Sequence, residues 1–169
     1  MPVNFTALES KVENLSIALS KLPSSSGTTV TSSYGTLTLT GTNTVQNVFN
    51  IDFSQFGTQI TINVPTTSIV IINVTGTVID WPSGTVKLPG AIGGSDSDYL
   101  FSSNVIWNFY QATSFTIEGV AVEGTVLAPL ATFQAGSGGH IAGQVIVREM
   151  LGLSTEFHPY YFSGCIIWP

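Results

Sequence analysis

The stretch "GTVLAPLATFQAGSGGHIAGQVIV", residues 124–147, contains its own echo. Gly124-Thr125-Val126-Leu127-Ala128 returns as Gly143-Gln144-Val145-Ile146-Val147, an offset of 143 − 124 = 19 residues. One interval earlier, "VIWNF" (105–109) brings Trp107, Val126 and Val145 into one register, with Phe109, Ala128 and Val147 two positions on. A chain that returns at a fixed interval with its apolar residues in step stacks successive strands side by side, about 4.8 Å apart. The echo therefore predicts a mainly β chain, a β-solenoid (β-helix) of roughly 19-residue rungs. Its inward column tapers from Trp107 through Val126 to Val145.

Other segments alternate as strands do. "YGTLTLTG" (34–41) places Leu37 and Leu39 opposite Thr36, Thr38 and Thr40, and "VFNIDF" (48–53) places Val48, Asn50 and Asp52 opposite Phe49, Ile51 and Phe53. "ITINV" (60–64) and "IVIINVTGTVI" (69–79) follow. "WPSGTVKLPGAIGGSDSDY" (81–99), dense in Gly, Pro, Ser and Asp, reads as one long loop.

The exception comes first in the chain. Leu8, Val12, Leu15, Leu19 and Leu22 fall on one helical stripe, Thr6 and Glu9 have capping-box spacing, and Pro23 ends the pattern. One α-helix over 6–22 is expected to pack alongside the β coil, strands starting near residue 30 and a tail at 164–169. The stripe is too short for a coiled coil. All 169 residues fit a single domain.

Composition narrows the partners. Only 8% of residues are charged, the net charge is −6, and the four basic residues (Lys11, Lys21, Lys87, Arg148) form no cluster that could neutralise phosphates. Nucleic acid is not expected. No uncharged apolar run reaches the roughly 20 residues of a membrane span, so none is expected either. The first residues lead straight into the helix pattern without a signal peptide, so an exported protein would be met here in processed form. One cysteine, Cys165, excludes an internal disulfide.

The segments "YGTLTLTGTNTVQNVFNID" (34–52), "TINVPTTSIVIINVTGT" (61–77), "VIWNFYQATSFTI" (105–117), "GTVLAPLATF" (124–133), "IAGQVIV" (141–147) and "EFHPYYF" (156–162) together resemble the choice-of-anchor A family of extracellular adhesive domains. The order and spacing of the segments carry the resemblance, which with the helix covers roughly residues 5–163. Two departures stand out: Leu130 where the family often has Asn, and no sorting motif before Pro169. The series from Trp107 to Ile146 is also similar to ice-binding β-solenoid proteins, in which a long helix lies along the coil. The resemblance implies an exported adhesive or structural module at the cell surface or outside the cell.

Residue chemistry points away from catalysis. His140 and His158 are the only imidazoles; Glu156 and His158 share one side of a strand and read as a polar pair capping the end of the coil. No G-x-S-x-G motif occurs, and no catalytic residue, cofactor or enzyme activity is expected. Asp96 and Asp98 have the alternate spacing of a calcium loop but lack its later Gly and Glu, which leaves them weak metal candidates. Lys87 and Cys165 have no recognisable cross-linking partner. Asn4, Asn14 and Asn73 begin N-x-S/T sequons, which matter only in a eukaryotic secretory pathway.

Three functions then order themselves. The first is adhesion through a flat Thr/Asn/Gln-bearing surface to a protein or glycan ligand, with Thr36, Thr38 and Thr40 as the binding face. The second is a self-assembling extracellular fibre whose tail, Cys165, Ile166, Ile167 and Trp168, adds to another copy. Ice binding comes third, because the later rungs interrupt any Thr array with Glu123, Gln144 and Arg148.

Overall fold

The computed structural model describes residues 4–90 and 100–169. Helix α1 spans Phe5–Ser20 and is capped by Asn4, whose side-chain oxygen accepts from the Ala7 N–H at 3.1 Å. The expected Thr6–Glu9 box is thus replaced by a cap two residues earlier, since Asn4 already satisfies a free amide of the first turn. The expected stripe also divides. Leu19 and Leu22 are buried and Val12 half-buried, while Leu8 and Leu15 face solvent. A buried serine, Ser16, occupies the interface instead.

The strands are β1 (Thr29–Ser33), β2 (Thr36–Thr40), β3 (Gln46–Asp52), β4 (Gln59–Asn63), β5 (Ile69–Thr75), β6 (Val78–Trp81), β7 (Gly84–Lys87), β8 (Val105–Asn108), β9 (Ser114–Ile117), β10 (Val120–Glu123), β11 (Thr125–Ala135), β12 (Gly139–Ala142), β13 (Val145–Leu153) and β14 (Glu156–His158). A front sheet runs β1-β2-β4-β7-β10-β12-β14, and a back sheet runs β3-β5-β8-β11-β9-β6 with β13 also on β11. The chain crosses repeatedly between the two sheets. Strands reaching the same sheet in turn therefore lie parallel; the β1–β2 hairpin is the one antiparallel pairing among those described.

The register of the echo is observed directly: Val126 pairs with Trp107 on one side and Val145 on the other. Trp107 and Val126 are buried; Val145, on the outermost strand, is half-buried. Gly124 and Gly143 stack at the corner before these strands. A Cβ on Gly143 would lie 2.2 Å from the Gly124 carbonyl oxygen, so the corner closes only on glycine.

The interval is not constant along the chain, which corrects the expectation of roughly 19-residue rungs throughout. Val48 pairs with Ile71, 71 − 48 = 23 residues on, and Ile72 pairs with Trp107, 107 − 72 = 35 residues on. The longer circuit carries β6, β7 and the segment after them. The loop expected over 81–99 is likewise interrupted, because Gly84–Lys87 forms β7 between β4 and β10 with Val86 turned into the core.

Between the sheets lies one large core, with Leu37, Leu39, Ile60 and Ile62 from the front meeting Phe49, Ile51, Ile72 and Trp107 from the back. Fully burying each such side chain stabilises the fold by about 1.5–3 kcal/mol before chain entropy is counted. A second cluster covers part of the outer side of the back sheet, on β3, β5, β8 and the start of β11. Leu19 and Leu22 pack on Val48, Ile71, Ile106 and Leu127, joined by Phe162 and Ile166.

Helix α1 is also fastened by an amide ladder. Asn50, Asn73 and Asn108 sit on adjacent strands, and their Nδ2 groups donate to the carbonyls of Leu22, Leu19 and Ser16 at 3.1, 2.8 and 2.9 Å. The fit is geometric: three helical residues rise about 4.5 Å, close to the spacing between strands. Asn73 is only 2% exposed, so its sequon is closed to glycosylation in the folded chain. No helix among the described residues is long and apolar enough to cross a membrane.

Candidate functional site

The helix and the tail cover the part of the back sheet formed by β3, β5, β8 and the start of β11, while the front sheet and the strands β6 and β9 keep open outer faces. Strand alternation turns Leu37 and Leu39 inward and leaves Thr36, Thr38 and Thr40 outward and half-exposed. The strands beside β2 extend that row. Across β1, Ser33, Thr31 and Thr29 stand opposite Thr36, Thr38 and Thr40; across β4, Gln59, Thr61 and Asn63 stand beside them. The result is a three-by-three array of hydroxyls and amides with no charged member. Gln59 donates to Thr61 Oγ1 at 3.1 Å within it. Thr85 and Lys87 of β7 continue the surface.

Threonine thus recurs on the strands beside β2, at Thr29 and Thr31 on β1 and at Thr61 on β4. The array ends on the later strands, where Lys87 of β7 stands beside Thr61 and Glu123, one of the expected interruptions, follows on β10 of the same sheet.

Farther along the same sheet the face becomes ionisable. Glu123, 5% exposed, accepts from Ser102 Oγ at 2.8 Å and lies 2.8 Å from His140 Nε2. The His140 ring stands 5.2 Å from that of His158, whose Nε2 is 3.5 Å from Glu156 Oε2. The sequence pair Glu156–His158 therefore belongs to a four-residue chain anchored by a carboxylate that periodicity alone did not single out. Ser102 donates to the carboxylate rather than to an imidazole, an arrangement that braces the short turn Phe101–Asn104. Among the described residues no group of three or more His, Cys, Asp or Glu could hold a metal ion. Asp96 and Asp98 lie outside the described residues.

Asp52 is the one carboxyl with a resolved shift. Hydrogen bonds from the Ser54 hydroxyl first, then from Thr75 and the Ser54 amide, hold its pKa down at about 2. It fastens the end of β3 to the end of β5 at an exposed corner.

The tail folds back onto its own chain. Ser163 N–H donates to Ser103 O at 2.9 Å, Ile166 packs into the outer cluster, and Ile167 exchanges two hydrogen bonds with the Gln46 side chain at 2.8 and 3.0 Å. It lies across the back sheet of its own chain, with Cys165 and Trp168 exposed.

The model of one protein family, described as "Putative Ice-binding-like adhesive domain", matches residues 1–159. The chain has no significant match among curated proteins or solved structures.

Proposed function

This chain belongs to the ice-binding-like adhesive domain family, and on that premise we propose that it is a non-catalytic extracellular adhesion module whose ligand docks on the front sheet. The observation that supports the reading is the uncharged array on β1, β2 and β4, left open while the helix and the tail cover the opposite sheet at β3, β5, β8 and the start of β11. β2 and β4 are hydrogen-bonded on both sides and β1 is paired to β2, which makes such a surface stiff, so it binds without being ordered first. In architecture we read the chain as an irregular β-solenoid, and within the wider group as the choice-of-anchor A type on the segments quoted above.

The test is adhesion of protein-coated beads to a target cell surface, comparing the parent with Thr38→Lys and with Thr116→Lys, which lies on the separate face formed by β9. Front-face docking requires that Thr38→Lys abolish adhesion and Thr116→Lys preserve it. Equal adhesion by all three proteins contradicts it.

Ice binding is the second reading, favoured by the recurrence of threonine on neighbouring strands at Thr29, Thr31, Thr38, Thr40 and Thr61. Thermal hysteresis in the parent, lost in Thr38→Lys, would select it over adhesion to a glycan or protein.

A further inference from the structure

We infer that the front face takes a neutral polysaccharide, with Tyr34 as the aromatic platform on which a sugar ring stacks. The inference rests on the adhesion reading and names its ligand.

Tyr34 and Gly35 form the two-residue turn between β1 and β2, flanked by the paired Ser33 and Thr36. Both have positive φ, 46° and 77°. Turns of this shape favour Asn-Gly, because a side chain at the first position crowds the backbone and Asn tolerates it best. Tyrosine is a poor choice for the turn, and Tyr34 is the only non-glycine residue with positive φ among those described. Its side chain gains nothing from the fold in return, since it is fully exposed. A large ring held in a disfavoured backbone conformation and displayed wholly to solvent is placed there for something outside the chain.

Its surroundings say what. The ring stands at the end of strands whose outward positions are Thr29, Thr31, Ser33, Thr36, Thr38, Thr40, Gln59, Thr61 and Asn63. Hydroxyls and amides both donate and accept, which suits a polyol carrying donors and acceptors around its ring. The C–H face of that ring is apolar and suits an aromatic surface. No member of the array is charged, and the chain's net charge of −6 disfavours acidic glycans. The turn is also preorganised, for Gln59 N–H donates to Gly35 O at 3.2 Å and ties it to β4. A linear neutral polymer running along the strands from the turn meets ring and hydroxyl array together.

The probes are insoluble chitin, cellulose and (1→3)-β-glucan, with alginate as the acidic control. Depletion of the full chain from solution is measured beside its melting temperature. At least one neutral polymer should deplete the parent and Tyr34→Phe alike, while Tyr34→Asn, which relieves the turn, should bind about ten-fold more weakly and melt at or above the parent temperature. Undiminished binding by Tyr34→Asn overturns the inference, as does failure of all three neutral polymers to deplete the parent. If the parent ignores the polymers yet still adheres to cells in a Thr38-dependent manner, the polysaccharide inference falls and the adhesion reading stands. Cell adhesion indifferent to Thr38→Lys removes the adhesion reading itself.

Discussion

The Asn108 amide donates to Asn73 Oδ1 at 2.8 Å, and that contact joins neighbouring strands at the line where the helix is fastened. The same amide reaches Ser16 O, while Ser16 Oγ donates back to Asn108 Oδ1. Removing it strands several buried polar atoms at once. Asn108→Ala should therefore lose about 2–4 kcal/mol in chemical denaturation, and Asn50→Ala, at the exposed end of the ladder, distinctly less. Equal losses at the two positions would mean that the ladder does not fasten the helix.

Val126 has core neighbours on both sides, Trp107 and Val145. A carboxylate there has neither water nor a partner, so Val126→Asp should destabilise the fold by at least about 4 kcal/mol. Leu127 points the opposite way, into the helix-covered cluster. A variant Val126→Asp that melts within a few degrees of the parent would contradict the observed register.

These features were not equally legible in the sequence. Alternation in 36–40 and 48–52 identified the inward residues because a period of two leaves little freedom once one face is buried. The 19-residue echo fixed the pairing of 105–147 because stacked Gly124 and Gly143 require it. The circuit lengths elsewhere were hidden, since corner loops carry no apolar pattern and β7 offers one inward valine amid Pro and Gly. The array on β1 and β4 needed the strand order, which cannot be read from β2 alone. Tyr34 did leave a signal, an aromatic before glycine in "SSYGT", but the turn conformation that makes it unusual is a property of the fold.

The tail gives a third prediction. Deleting residues 164–169 removes Ile166 from the outer cluster and the backbone partner of Gln46. The truncated chain should melt several degrees lower and bind an apolar dye, with its association state unchanged. A truncation that keeps the melting temperature but dissolves an assembly would instead make the tail an intersubunit strand and favour the fibre reading.

Acid provides a fourth. Asp52 has a folded-state pKa near 2, below its ordinary 3.8, so the stability it contributes is present above 3.8 and is lost as the pH falls through about 2. The melting temperatures of the parent and Asp52→Asn should differ above that window and converge below it. A gap that acid leaves unchanged would show that the Ser54 and Thr75 bonds do not depend on the charge.

Oriented attachment tests the central claim most directly. Cys165 is an exposed thiol on the tail side of the molecule and Thr38 lies at the centre of the front array. The parent tethered to a sensor through Cys165 leaves the front sheet free, whereas the double variant Thr38→Cys, Cys165→Ser tethered through its new thiol buries that sheet against the support. At equal loading, capture of target cells should be retained in the first orientation and lost in the second. Equal capture in both orientations, or capture only when the front sheet faces the support, would contradict docking on the front sheet.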